Sequence, residues 1–452
     1  MTSTTTTAPD MLGTPIPPDV PAGVATRARK RYSLLSFSHA FIDVFPIFFV
    51  VLMLPLREKL GLAPWQVQVV YMITPIFSGL FQPLFAWISD KYNTRAFCPL
   101  GILIGSVCIG SIGFAQSFEQ LIALQIVGVL ATGFYHPIST ALAGQTGARG
   151  FRHGRAFAVG LFIAAGMAGQ TLSSRLTPEI TSALGLEALI WLVPPGILLA
   201  IAMHLVVRKI PHRADHADIR VFSVEPGERR KRWGVVASLT VQNALRFTVN
   251  VGMFALFNVW AESKIRDADR ASVLSGELIA CSTLGMGIGV ILAGRLVKRG
   301  RERRALVWMS ALGAVAIASL GFVGDAVWAG SVGDADPSTR SLLGLLPLYL
   351  LAVAAPLGYF ATFPITASLG QRLLPGHTSI ATSLLMGVGW AVSASHALLA
   401  PWLLGADLNS AYLLPARDIS MAFVGFASLI LIAGILAACM RPSVIRSVAE
   451  DH

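Results

Sequence analysis

The sequence predicts an all-α membrane protein of twelve transmembrane helices arranged as two pseudosymmetric six-helix bundles. Three observations carry this. The 452 residues are 54% hydrophobic and 13% charged, with mean hydropathy +0.66, whereas soluble domains run near a quarter charged. Apolar runs of about 20 residues, enough to cross about 30 Å of hydrocarbon, recur along the whole chain. A single long polar interruption, Arg208 to Trp233, divides those runs into six and six.

The helices are expected at 32–56, 64–88, 96–116, 119–143, 154–176, 186–207, 234–261, 272–297, 305–324, 342–369, 378–404 and 418–439. The first follows a Thr/Pro-rich leader that turns basic at Arg27, Arg29, Lys30 and Arg31. From Tyr32 to Leu56 it is too long for a signal-peptide core and lacks a small-residue cleavage site, so it is retained. The short polar stretch Ser89 to Tyr92 and Arg95 separate the second helix from the third. The fourth carries Pro137. The fifth, Gly/Ala-rich, follows the basic loop that holds Arg152 and His153. The sixth ends at the polar interruption, and Arg229 to Arg232 lie against the membrane where the seventh begins. The eighth contains Gly285, Gly287 and Gly289, and the basic loop Lys298 to Arg304 leads into the ninth. Pro364 marks the tenth, and Pro375 and Gly376 separate it from the eleventh.

The net charge of +11 is no polyanion footprint, because the Lys and Arg residues sit almost wholly in short loops between apolar runs. Their asymmetry places both termini in the cytoplasm. The expected layout is a disordered cytoplasmic leader at 1–31, a first bundle at 32–207, a cytoplasmic basic linker at 208–233, a second bundle at 234–440 and a cytoplasmic tail at 441–452. Anionic lipid could hold the linker's basic cluster; positive-inside anchoring explains it equally well. The four cysteines, in or beside apolar runs, have neither metal-site nor disulfide spacing.

The two halves repeat one another. Pro137 to Gln145 reads PISTALAGQ in the fourth helix, and Pro364 to Gln371 reads PITASLGQ in the tenth. His39 and Asp43 in the first helix have the same four-residue spacing as Arg246 and Asn250 in the seventh. Repeats of this kind place a binding site between the halves, near the bilayer midplane.

Several local motifs narrow the reading. Gln82 and Pro83, then Ser89 to Tyr92, then Pro99 to Gly101 resemble the fosmidomycin-resistance efflux group of the major facilitator superfamily. So do His39 to Asp43, Phe134 to Pro137, Arg152 to Gly154 and Leu373 to Gly376. Ile138 departs from the acidic residue that the group commonly has after its His-Pro pair, and Ala86 from the glycine that opens the superfamily's loop motif. Leu124 stands where a superfamily antiporter arginine would fall. The resemblance implies a proton-coupled antiporter that exports a drug or metabolite across the bacterial inner membrane, with antibiotic resistance as a consequence.

Asp43 lies near mid-membrane, where a charge costs several kcal/mol unless it faces a cavity or partner. It is the expected proton carrier, with His39 one turn away on the same face; the alternative is a fixed hydrogen-bonded pair bracing the first helix. Arg246, at similar depth, requires an anion, either Asp43 or an anionic substrate group, unless it only locks the halves by a salt bridge. Asn250 could add an amide contact. His136 precedes Pro137, which is expected to kink its helix and free the carbonyl of Gly133; Pro364 is expected to do the same to Phe360. Gln82, Gln170, Gln242 and Asn243 face protein, as ligand contacts or as interhelical glue. Gly166 and Gly169 allow close backbone approach. Asp90 and Arg95 are the expected cytoplasmic gate, ordinary positive-inside loops being the alternative.

No catalytic cluster, metal-ligand spacing or phosphate-binding loop appears, so neither an enzyme nor an ATP-driven pump is expected, and no cofactor or metal. Nucleic acid is excluded as a partner. The sequence predicts a monomer in the lipid bilayer that moves a small molecule, anionic where Arg246 holds it, together with protons. The rivals are a proton-coupled importer of an organic acid or other nutrient and a non-transporting scaffold or sensor.

Overall fold

A computed structural model describes residues 22–151, 154–210, 226–330, 344–374, 378–408 and 415–450. Among them, eleven helical stretches are long and apolar enough to cross a membrane, from Pro64–Phe85 to Ile419–Ala438. The first span in the chain makes the twelfth. It is three helices, Ala22–Ile42, Phe48–Val51 and Met53–Leu60, where the sequence led us to expect one. Pro46 has no N–H to donate to Ile42, so the helical ladder stops there. The carbonyl of Ile42 instead takes the N–H of Phe45 at 3.3 Å, and the chain turns immediately after Asp43.

The second to ninth spans are built on Pro64–Lys91, Phe97–Gly110, Phe118–Gly150, Gly154–Leu184, Val193–Val207, Pro226–Lys264, Ala268–Leu296 and Glu302–Gly330. The tenth is broken into Leu346–Ala354, Pro356–Tyr359 and Phe363–Leu373. The eleventh runs from Thr378 to Leu404 through a wider-wound turn, Ser383–Val388, and a tighter one, Ser393–Ser395. Ile419–Ala438 is the twelfth. Exposed side chains such as Leu80, Leu172, Trp191, Trp308, Val315 and Trp402 are 58–75% accessible. Bare apolar surface on this scale marks the face that meets lipid.

The helices extend beyond the expected boundaries. The first begins at Ala22, inside the expected leader, because Arg29 donates to Gly150 O at 2.8 Å and Arg31 to Lys209 O at 3.3 Å, tying it to the first bundle. The seventh begins at Pro226, so the basic cluster 229–232 is helical, with Glu228 pairing with Arg232 at 3.1 Å one turn on. The tail forms a helix, Pro442–Glu450, whose Val444, Ile445 and Val448 are buried with Leu374 and Met440. The rest of the leader, 211–225 of the linker and the last two residues lie outside the described residues.

In hydrocarbon, helices are held by close packing and interhelical hydrogen bonds rather than by the hydrophobic effect. The fifth span packs on the eighth and the second on the eleventh. A Cβ at Gly276 would sit 2.4 Å from the carbonyl oxygen of Ser174, so this crossing admits only glycine. Thr171 and Thr283 share a hydrogen bond of 3.0 Å, and Trp390 donates to Ser78 at 2.9 Å. Toward the face away from the linker, Asn258 donates to Val50 O and Tyr71 at 2.8 and 2.9 Å, and Ser272 donates to Val51 O. There Arg57 grips Glu262 across the halves with both guanidinium nitrogens, one at 3.1 Å, and Arg175 lies 3.5 Å from Glu277.

The buried apolar residues form two clusters. The larger fills the first half and continues into the far end of the second; the smaller, with Val236, Leu369, Leu385 and Ile445, fills only the linker-face end of the second half. The halves therefore share a core away from the linker and have separate cores beside it. A cavity of about 470 Å³ lies at the linker-face end of the first half, lined by Tyr32, Ser33, Ser36, Phe151, Leu161, Ala164 and Ala165.

Two tests follow from this packing. Gly276→Ala should lower the melting temperature in detergent through overpacking of about 1–3 kcal/mol, while Gly294→Ala, with open space around its Cβ position, should not. In a double-mutant cycle on Arg57 and Glu262, each single alanine should cost about 1 kcal/mol, discounted for partial exposure. The double mutant should lose less than their sum, and strict additivity would mean the pair is decorative.

Candidate functional site

The Asp43 carboxylate is 3% exposed and sits where the first span breaks. His136 Nε2, from the fourth span, is 2.8 Å from its Oδ1. His39 Nε2 is 3.5 Å from Oδ2, and Gln170 donates to the same oxygen at 3.3 Å from the fifth span. His39 stacks on Phe162, centroids 4.1 Å apart. Gly166 completes the enclosure: a Cβ there would lie 2.4 Å from Oδ2, so the acid occupies the space a side chain would take.

The second nitrogen of each imidazole fixes its chemistry. His136 Nδ1 is 2.6 Å from Thr132 O, and His39 Nδ1 is 2.7 Å from Phe162 O. A main-chain carbonyl can only accept, so both Nδ1 atoms carry hydrogen, and a neutral ring then presents a bare lone pair at Nε2. A lone pair and a carboxylate oxygen do not approach to 2.8 Å without a proton between them. The Asp43–His136 contact therefore contains one shared proton, as imidazolium with carboxylate or as imidazole with carboxylic acid.

Magnitudes point the same way. A charged Asp at mid-depth costs about 2.5–3.5 kcal/mol on insertion scales. An interhelical hydrogen bond in a membrane averages about 0.6 kcal/mol. Neutral partners alone would not hold the carboxylate; a shared proton removes its net charge.

Ser33, Ser36, His39 and Asp43, spaced by three, three and four, form one face of the first span. Ser33 and Ser36 line the linker-face cavity, and the His136 side chain is 26% exposed. The polar face of the first span thus extends from the cavity lining toward the acid. The serine spacing was readable in the sequence; the roles of Phe162, Thr132 and Gln170 were not, because they come from other spans.

Arg246 sits elsewhere. It is 1% exposed inside the second half, where Nη1 donates to Gly358 O at 2.6 Å and to Thr362 at 3.0 Å, and Nη2 donates to Ser310 at 3.0 Å. Among the described residues it forms no ion pair, and the contact with Asp43 that the paired spacings suggested is not made. Gly358 and Thr362 flank the break in the tenth span and Ser310 lies on the ninth, so Arg246 fastens that break to its neighbour. Asn250, one turn on, is buried with its Oδ1 unpartnered, and Gln82 is half-buried on the second span; neither is among the partners of the acid.

The two prolines behave differently from each other. Pro137 lies inside an unbroken helix, which the long ladder on both sides carries past it. Pro364 stands in the first turn of Phe363–Leu373, after a true break, but the Phe360 carbonyl is not left free: it accepts from Phe363 N at 2.9 Å. The break that adjoins the acid is the one at Pro46. Arg95 donates to Asn93 at 3.0 Å and to the carbonyl of Ile210, so it is fastened within the first half. Asp90 ends the second span's helix, and its side chain lies outside the described residues.

The expectation of no metal-ligand cluster needs correction. One ligand atom from each of His39, Asp43 and His136 lies within 4.8 Å of the others. Sequence spacing could not reveal this, since His136 arrives from a different span.

Comparison with known proteins accords with this architecture. The chain is 22% identical over 373 residues to the fosmidomycin resistance protein of Escherichia coli, covering 81% of this chain and 85% of that one. It is 22% identical over 381 residues to an uncharacterized MFS-type transporter, YfnC, of Bacillus subtilis, covering 82% and 85%. Among solved structures, it superposes on a bacterial homologue of the human drug peptide transporters PepT1 and PepT2 with TM-score 0.66 at 14% identity, over 94% of this chain and 99% of that one. A bacterial homologue of the human lysosomal transporter Spinster, inward-facing and unoccupied, gives 0.62 at 15%, over 94% and 98%. These solved structures share the fold. The family model of the Major Facilitator Superfamily matches residues 34–398, most of the chain, and the protein belongs to that superfamily of membrane transporters.

Proposed function

We propose that this transporter is a proton-coupled exporter of a small organic solute, with the driving proton held between Asp43 and His136. The supporting observation is the 2.8 Å contact between a carboxylate and an imidazole whose other nitrogen already donates to a carbonyl. The proton would leave by the partly exposed edge of His136 or along the serine face of the first span toward the linker-face cavity. Its loss would leave an ionised acid against two imidazole lone pairs, an arrangement that relaxes only by moving the first span, the fourth or the fifth. Movement of the fifth span shifts its crossing with the eighth, and with it the halves.

In this scheme the linker face is cytoplasmic, as the basic loops suggest. The halves rock about their contacts, which are released on one face as they form on the other. Export rather than import is favoured by the E. coli relative, named for resistance to a drug. Both Nη atoms of Arg246 are engaged within the second half while its Nε has no partner, so the scheme assigns the residue no solute contact and leaves the charge of the solute open. A scaffold would gain nothing from an acid held at the end of a polar face.

Asp43→Asn should abolish proton-driven transport in proteoliposomes while insertion and yield stay at wild-type level; unchanged coupling in that variant removes Asp43 from the mechanism. Adding solute to acid-loaded inverted vesicles should release lumenal protons, whereas an importer would draw protons in with the solute. Gly166→Ala should cut coupled transport at least tenfold by displacing the carboxylate, and Gly160→Ala, with nothing within 4 Å of its Cβ position, should be silent.

A further inference from the structure

We propose that His39, Asp43 and His136 also form a binding site for a divalent transition-metal ion of the zinc class, which takes the place of the shared proton. The donor geometry stands without the proton reading; the displacement of the proton rests on it. Three features of the geometry point to it.

The donor atoms converge: His136 Nε2 is 2.8 Å from Oδ1, His39 Nε2 is 3.5 Å from Oδ2, and one atom from each residue lies within 4.8 Å of the others. Metal–ligand bonds of about 2.0–2.2 Å in a tetrahedron place ligand atoms roughly 3.3 Å apart, so small side-chain shifts suffice. Both rings are in the form that metals take. Each donates Nδ1–H to a main-chain carbonyl, of Phe162 or Thr132, which fixes the tautomer and aims Nε2 inward, the supporting contact that metal-bound histidines almost always have. The set is also incomplete in a useful way. Three protein donors leave a fourth tetrahedral position for water or a donor atom of a solute, and the His136 side chain is 26% exposed.

Two imidazoles and one carboxylate suit zinc, cobalt or manganese and not calcium or magnesium, which take oxygen ligands. Because the metal and the proton use the same lone pairs, binding should release the proton and should inhibit proton-driven transport.

The test is calorimetric titration of the full-length purified protein, freed of metal, with zinc chloride near neutral pH. We expect one equivalent per chain, weakened at least tenfold by each of His39→Ala, His136→Ala and Asp43→Asn, and unaltered by His204→Ala on the exposed face of the sixth span. Cobalt(II) bound to the wild-type protein should give the intense visible bands of a tetrahedral site, a readout that needs no variant to fold. Wild-type protein without a zinc equivalent or without those bands, or undiminished affinity in any of the three folded variants, overturns the proposal. Repeating the titration in buffers of different ionisation enthalpy counts released protons. Zinc bound with none released would keep the metal site and remove the shared proton; proton-driven transport without zinc binding would do the reverse.

Discussion

The structure turns on one contact: an aspartate in the middle of an apolar bundle, 2.8 Å from an imidazole that is already donating from its other side. Everything around it serves to make that contact tolerable. The first span breaks directly after Asp43, so the carboxylate sits at a helix end rather than on a lipid-facing stripe. Gly166 leaves room for it. Main-chain carbonyls hold both rings edge-on to the acid. Without the proton, or a cation in its place, the ionised acid has partners too few and too weak to replace water.

The fifth span connects this contact to the rest of the molecule. On one face, Phe162, Gly166 and Gln170, four residues apart, touch His39 and Asp43. On the adjoining face, Thr171, Ser174 and Arg175 meet Thr283, Gly276 and Glu277 of the eighth. Gln170 and Thr171 are neighbours in sequence, one reading the acid and the other the opposite half. In the proposed scheme, a rearrangement at Asp43 therefore has a short route, through Gln170 and Thr171, to the contact between the halves. The linker-face ends, whose apolar cores are separate, are the ends that this scheme would let part.

Much of this was legible in the sequence. Apolar runs and loop charges gave the spans, and the depth of Asp43, with His39 one turn before it and His136 beside a proline, marked the acid and its two rings. What was not legible came from elements that meet only in three dimensions. The four-residue spacing of Arg246 and Asn250 mimicked that of His39 and Asp43, yet Arg246 turns into its own half to fasten the broken tenth span. Pro137 looked like a break and is absorbed by a long helix, while Pro46, within three residues of the acid, interrupts the first span. Metal-type convergence was likewise hidden, because no spacing rule joins residues on different spans. The boundaries moved for a simpler reason. Basic residues next to the membrane, such as Arg29 and Arg232, find carbonyl or carboxylate partners that let the helix continue past the apolar run.

Nitrogen-15 NMR of the purified protein, labelled at histidine and assigned with His39→Gln and His136→Gln, would show whether a proton lies between Asp43 and His136. Near neutral pH both rings should carry hydrogen at Nδ1, and the His136 Nε2 shift should report a proton shared with a carboxyl oxygen. A neutral His136 protonated only at Nε2, with Nδ1 bare, would contradict this proton placement.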